Sequence, residues 1–446
     1  MATPAVTTTR LPISAELPAA PSRASSLVFR LTRRGLVAIL LAAPLAFGAV
    51  EPWAWAALLI ASFVLLMLWT LGTVRQGELK VHLSPLYLPA VLFLGLCIVQ
   101  LYGGITLDAY ATRESIFKLV MVLVIFFIAG QAFARASDDA WSELGLAVTL
   151  YAFVLGLLAI LQSFSSDNLI YWSVRSHGWT FGPYVNHNDY AGLMEMLTPI
   201  TAGYVLSRPR TDPRRLLLAF ALSVPVASVL LSGSRGGSVS LLVEALLLGW
   251  VLWRRSGQSG HRLRSILPIG FAAAALLFFW TAPNRVVRRL GALANVTRTT
   301  ETTFGQRELA ARDTLRIFRD HPWLGIGLGS FNTVFPQYRT FPTDLGWAHA
   351  HNDYAEALAE TGVAGGALIA LSLALFFSLA FRNLSAGRRD AVGWIQLGAT
   401  LGCCGLLVHS LVDFNLHIPA NAAWFAVCVA LAAASCGRRR HLSYLG

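Results

Sequence analysis

Three apolar runs, residues 141–163, 215–232 and 363–381, constrain this chain more than anything else in it. Each is near the roughly 20 residues a helix needs to span a bilayer. They belong to a sequence that is 55% hydrophobic and 13% charged, with mean hydropathy +0.59. Soluble domains carry about 25% charged residues. The fold class that follows is all-α, a polytopic integral membrane protein.

Apolar runs separated by charges or Gly/Pro clusters predict twelve helices, beginning near residues 35, 53, 84, 114, 141, 190, 215, 237, 265, 355, 391 and 418. Residues 1–30 read as a tail, its first 26 residues rich in Ala, Pro, Ser and Thr and expected to be disordered. "TRRGL" at 32–36 faintly resembles a twin-arginine export signal, but another span follows at once and no cleavage site is evident, so a retained first helix is expected. The organisation expected is helices 1–9 over 31–281, a long extracytoplasmic loop over 282–350, helices 10–12 over 351–437, and a tail at 438–446.

The short loops fix an orientation. "RLTRR" (30–34), "RQGELK" (75–80), "SRPRTDPRR" (207–215), "RRSGQSGHRLR" (254–264), "RNLSAGRRD" (382–390) and "GRRR" (437–440) fall on one side of this scheme. The positive-inside rule makes that side cytoplasmic and places both termini there. The net charge of +12 is almost wholly arginine, Lys80 and Lys118 being the only lysines. In a membrane protein such a balance points to lipid phosphates or an anionic substrate. No nucleic-acid-binding motif is present. Residues 282–350 carry nine arginines against five acids on the outer side, long enough to escape the rule and basic enough to hold an anion. The five cysteines lie in or at the end of apolar spans without metal spacing or a pairing pattern, and read as small buried hydrophobes.

The pentapeptide HNDYA occurs twice, at 187–191 and 351–355, each time just before an apolar run. In the second copy, "AHAHNDYAEALAETGVAGG", a continuous helix puts Gly362 about 20° from His351, with Gly365 and Gly366 flanking it. His351 would then stand above a small-residue face that fixes its depth, a placement suited to a proton acceptor or, more plainly, to a cap at the interface. The first copy lacks the glycines. Its Thr198-Pro199 predicts a kink, and His187 with Asp189 lines the same cavity or belongs to an interfacial turn. "HAH" at 349–351 with nearby Asp353 raises a metal site, but two histidines at i, i+2 on a helix diverge, so metal is the minority reading and no metal is expected.

Residues 306–319 form an amphipathic helix. Arg312, Arg316 and Arg319 share one face, a solvated or headgroup-facing stripe. Arg307 falls with Ala311, Thr314 and Phe318 on the other, with no carboxylate evident there, so a substrate phosphate is its expected partner. "LSGSRGGSV" (231–239) places Arg235 at an outer turn, where it meets a phosphate or anchors the interface. Arg113 in "YATRES" has the weaker case. "WLGIGLGSF" (323–331) has no preceding strand, so a close-packed turn is expected and not a nucleotide loop. "DFNLHIPAN" (413–421) puts Asp413 and His417 in the last outer turn, orienting other groups. Glu195 and Glu244 lie deeper in their spans, and intramembrane acids suit a proton-coupled carrier.

His351-Asn352, nine residues, Gly362, two residues, Gly365, together with "SRGG" (234–237), "GQRELA" (305–310) and "HPWLGIGLGSF" (321–331), resemble the O-antigen ligase and Wzy-type polymerase superfamily of bacterial glycosyltransferases, over roughly residues 85–435. The resemblance implies a GT-C type helical fold in the bacterial inner membrane with its active site on the periplasmic face. It implies transfer of a glycan from undecaprenyl pyrophosphate to a sugar hydroxyl, on lipid A-core in ligases or on another lipid-linked glycan in polymerases, with inversion and without a metal ion or other cofactor. On that reading His351 is the catalytic base, Arg235, Arg307 and Arg113 bind pyrophosphate, and Asn352, His349, His187 and Asp413 support them. His187 lies outside the family's signature. The rival classes are a transporter or flippase of lipid-linked sugars and a scaffold of a polysaccharide-assembly complex.

Overall fold

The computed structural model describes residues 23–77, 81–134, 136–176, 178–255, 304–342 and 346–434. Among these the chain is helical, with two isolated β-bridges (Ile170 with Val174, Phe181 with Tyr184) and no strand. The helices are α1 (Arg23–Leu45), α2 (Pro52–Gln76), α3 (Tyr87–Tyr102), α4 (Ala109–Phe133), α5 (Asp138–Ser165), α6 (His187–Ser207), α7 (Arg214–Ser232), α8 (Arg235–Arg255), α9 (Phe304–Asp320), α10 (Phe331–Val334), α11 (Asp353–Ser385), α12 (Ala391–His409) and α13 (Pro419–Ala433). Eleven of the twelve expected spans coincide with one of these helices. The ninth, near residue 265, lies outside the described residues, as do much of both tails, Cys436 and the first part of the outer loop.

Seven helices among the described residues are long and apolar enough to cross a membrane: α2, α4, α5, α7, α8, α11 and α12. α3 and α13 are apolar but shorter. α1 carries Arg30, Arg33 and Arg34 in its first half, and α6 is polar for a different reason. Residues 187–201 of α6 are all buried inside the protein, His187, Asn188, Asp189 and Glu195 included. α6 needs no lipid-facing surface, so its composition follows its protein neighbours.

The chief neighbour is α12, the most enclosed of the seven. Glycines let the two backbones close on each other: a Cβ on Gly203 would strike the Trp394 carbonyl, one on Gly398 the Pro199 carbonyl, and one on Gly402 the Met196 backbone. α6 runs through Pro199 as one continuous helix. α8 follows α12, with the Ser240 hydroxyl donating to the Gly405 carbonyl at 2.9 Å. α13 closes the group through Asn421, whose amide nitrogen donates to the Asp189 carbonyl at 2.8 Å and whose oxygen accepts from the Tyr184 hydroxyl at 2.8 Å.

The outer segment has a core of its own. Ala310, Ile317, Ile326, Phe331, Val334, Phe335, Phe341, Trp347, Ala350 and Ala359 form one apolar cluster. α9 buries Ala310, Asp313, Thr314 and Ile317 in it, a face rotated slightly from the expected one. Arg312 and Arg316 stay exposed and pair along the helix with Glu308 and Asp313.

The expected glycine stripe beneath His351 does not exist, because the helix it assumed is discontinuous at both places that matter. His351 precedes α11 with φ +51°, and Gly362 breaks α11 with φ +62° and ψ −165°, a conformation essentially confined to glycine. The break is filled from outside. Ile326 and Gly327 donate their N–H groups to the Ala359 and Glu360 carbonyls at 3.0 Å each, while Val363 and Ala364 donate to the Pro322 and Trp323 carbonyls at 2.8 and 3.1 Å. Every hydrogen bond the break removes at these four positions is replaced by the "HPWLGIGLGSF" segment. Gly325, Gly327 and Gly329, all at positive φ, let it approach so closely; a Cβ on Gly325 would strike Glu360 backbone.

Candidate functional site

Helix capping explains why His351 stands free of α11. Asn352 is the N-cap, its side-chain oxygen accepting from the Ala355 N–H at 2.9 Å, with Asp353 in the first turn where the helix dipole favours an acid. Its amide nitrogen donates to the Leu411 carbonyl at 2.9 Å, and the Asp353 N–H donates to the Ser410 carbonyl at 2.9 Å. These bonds tie the start of α11 to the turn after α12. In the first HNDYA copy the preceding residue is Asn186, which takes the cap and draws His187 into the helix. Identical pentapeptides thus place their histidines on opposite sides of a helix start.

The turn after α12 carries Asp413, fully buried. His351 Nδ1 lies 3.5 Å from Asp413 Oδ1, and Arg307 Nη1 lies 3.3 Å from Oδ2 while also donating to the Val412 carbonyl at 3.1 Å. Arg307 does turn inward, and the carboxylate not evident on its own helix face comes from Asp413. Burial alone would push the Asp413 carboxyl up; the facing His351 and Arg307 outweigh it and hold Asp413 below the ordinary carboxylate range. The His351 ring is held edge-on between Trp347 (centroids 5.2 Å apart) and Phe414 (4.9 Å). The imidazole is so held with Nδ1 toward a carboxylate.

Arg235 opens α8, whose N-cap is Ser234, the hydroxyl accepting from the Gly237 N–H at 3.1 Å. It is exposed and makes no hydrogen bond or ion pair among the described residues. Its neighbour Gly236 abuts the His409 ring and Val412, so Arg235 borders the Asp413 turn. His187 is buried and stacked on Trp179 at 4.1 Å, and Trp179 in turn rests on Gly233. Arg113 is exposed on α4 and touches none of His351, Arg307 or Asp413; its helix start faces residues 326–333 instead, through Asp108 and Thr333 at 2.7 Å.

His349 does not share ligand geometry with His351. It joins a second cluster with Glu356 and His417, which sequence reasoning did not assemble. His349 Nδ1 is 2.8 Å from Glu356 Oε1, His417 Nε2 is 3.2 Å from the same oxygen, and His417 Nδ1 is 2.9 Å from Asp353 Oδ1. The ligand-type atoms of His349, Glu356 and His417 lie within 4.8 Å of one another, a set able to hold a metal ion. Burial opposes charge on His417, but Glu356, Asp353 and Glu360 outweigh it and raise His417 to about 10. The available signal was the N-cap: reading Asn352 as one removes 349–351 from the helix and lets the histidines reach in different directions.

Glu195, deep in α6, is engaged by His409 at 2.6 Å, both buried. Glu244 is buried against Gly405.

Residues 218–370 match the family model described as O-antigen ligase (Wzy_C). The match runs from α7 to the middle of α11 and so contains Arg235, Arg307 and His351, but not Arg113, His187 or Asp413. No curated protein matches the chain.

Proposed function

We propose, from the premise that residues 218–370 belong to the O-antigen ligase family, that this membrane protein transfers a glycan from undecaprenyl pyrophosphate to a sugar hydroxyl of lipid A-core. The observation that carries the reading is the meeting of His351 and Arg307 on one buried carboxylate, Asp413.

The acceptor O–H gives its proton to His351 Nε2 as its oxygen attacks the anomeric carbon. The bond from that carbon to the pyrophosphate oxygen breaks, and the electron pair leaves with the pyrophosphate. A single displacement of this kind inverts the anomeric centre. Asp413 keeps the His351 ring in the tautomer with Nδ1–H inward and stabilises the imidazolium that forms. Charge gathers on the leaving group in the transition state, where fixed guanidinium groups act most strongly. Arg235 is the leading candidate for that contact, Arg307 completes it from the buried side, and Arg113 is third. Twelve spans with both termini inside would put the Asp413 turn, the 304–350 segment and the start of α8 on the periplasmic face, where the donor is presented.

The experiment is glycan transfer in liposomes by the purified protein. Labelled undecaprenyl-pyrophosphate oligosaccharide is the donor, and lipid A-core and unlabelled lipid-linked glycan are separate acceptors. Transfer to lipid A-core, abolished in His351→Ala, is the expected result. Transfer only to lipid-linked glycan would make the protein a polymerase, and full turnover by His351→Ala would remove the base.

A further inference from the structure

We infer that His349, Glu356 and His417 form a zinc-class divalent cation site that clamps the turn carrying His351 to the turn carrying Asp413.

The geometry fits a metal ion. His349 Nδ1 and His417 Nε2 converge on a single carboxylate oxygen, Glu356 Oε1, at 2.8 and 3.2 Å. The His349 and His417 ring centroids are 4.4 Å apart, and His417 Nδ1 faces Asp353 Oδ1 at 2.9 Å. His417 keeps its Nδ1–H for Asp353 and turns a lone pair at Nε2 to the metal, the carboxylate–histidine–metal relay by which proteins orient ligating imidazoles. Glu356 is fixed from behind, Oε2 accepting the Ala350 N–H at 2.7 Å. Phe414 stacks on His349 at 4.6 Å and holds its plane.

The spacing fits as well. Ligands about 2.0–2.1 Å from a tetrahedral zinc are separated by about 3.3 Å; the two separations to Glu356 Oε1 are 2.8 and 3.2 Å, and all three ligand atoms lie within 4.8 Å of one another. Two imidazoles with one carboxylate favour zinc over magnesium or calcium, which prefer all-oxygen shells. The two rings are each 27% exposed while Glu356 is 1% exposed, so the fourth position opens outward and takes water. The three ligands come from both sides of the site: His349 is two residues before His351, Glu356 is in the first turns of α11, and His417 is four residues after Asp413. The ion therefore braces the His351–Asp413 approach and takes no part in bond making.

The inference does not rest on the transferase reading, since metal content is measured without any glycan. The full chain, purified in detergent with any affinity tag removed, is stripped with chelator and dialysed against Zn²⁺ or Co²⁺. The expected result is one zinc per chain by elemental analysis and the visible ligand-field bands of four-coordinate Co²⁺, both lost in Glu356→Gln and His417→Ala and retained in His321→Ala. Zinc X-ray absorption of the wild type, which needs no variant to fold, should show two imidazole ligands. Folded wild-type protein that takes up less than about a tenth of an equivalent, an oxygen-only ligand shell, or uptake undiminished in the folded Glu356→Gln and His417→Ala variants would each overturn the site.

Discussion

Asp413→Asn isolates what one buried charge does. The amide keeps the size of the side chain and can still accept the Phe414 N–H that Asp413 Oδ1 receives at 3.0 Å. The negative charge facing Arg307 and His351 is what disappears. At 3.3 Å, an effective dielectric near 20 makes the Arg307–Asp413 attraction about 5 kcal/mol. Arg307 is 22% exposed and keeps the Val412 carbonyl, so water and that carbonyl recover part of it and the net loss of stability should be about 2–3 kcal/mol. The rate should fall further than the stability, by about 10²-fold or more, because the imidazole loses both its orientation and the charge that stabilises its protonated form. The assay is the initial rate of glycan transfer in proteoliposomes, with a thermal melt confirming folded protein at the assay temperature. A cycle with His351→Ala tests the route. If Asp413 acts through His351, the double variant is no slower than His351→Ala alone. A double variant slower by the full Asp413→Asn factor, or an Asp413→Asn protein within about threefold of wild type while His351→Ala is inactive, would refute the reasoning. Wild-type stability should not depend on Asp413 titration at neutral pH. Its carboxyl is depressed, so its contribution is present above the ordinary carboxylate range and is lost only as pH falls through the lowered value.

Arg235→Ala should weaken donor use, seen as a raised KM, while the melt moves by less than about 0.5 kcal/mol equivalent, since the side chain is exposed and unpaired among the described residues; a large melt shift with unchanged KM would contradict this. Gly362→Ala should cost about 3 kcal/mol or more, combining a glycine-only conformation with a clash against the Trp323 carbonyl; a variant that melts with wild type would mean the break is not rigid. In chelator-stripped protein, His417 is raised from 6.5 to about 10, so its stabilising charge is fully present below pH 6.5 and lost as pH climbs through 10. The melting temperature of stripped protein should fall across that window and that of zinc-loaded protein should not.

Helix positions were legible because apolar run length is a strong signal, and even the start of α11 was placed within two residues. What escaped was the end of one helix and the interior of another. The 20° relation between His351 and Gly362 holds only on an ideal helix, but Asn352 caps it on one side and Gly362 breaks it on the other. Arg307 was correctly turned inward by periodicity. Its partner Asp413 lies 106 positions away, and no local pattern reports a contact at that distance. Glu356 was invisible for the same reason, since only the joining of two remote turns brings His417 to it. The "WLGIGLGSF" glycines signal a close-packed turn, and the structure adds what that turn packs into.

The filled break in α11 makes residues 321–331 and 353–366 two halves of one joint. Neither half has a complete set of backbone partners without the other, so they must assemble together although about twenty residues of chain separate them. This limits how the protein can be cut and recombined. A chimaera that takes its outer segment from a relative and keeps its own α11 inherits a plug made for a different socket. An exchange bounded at residues 304 and 366 moves the whole joint.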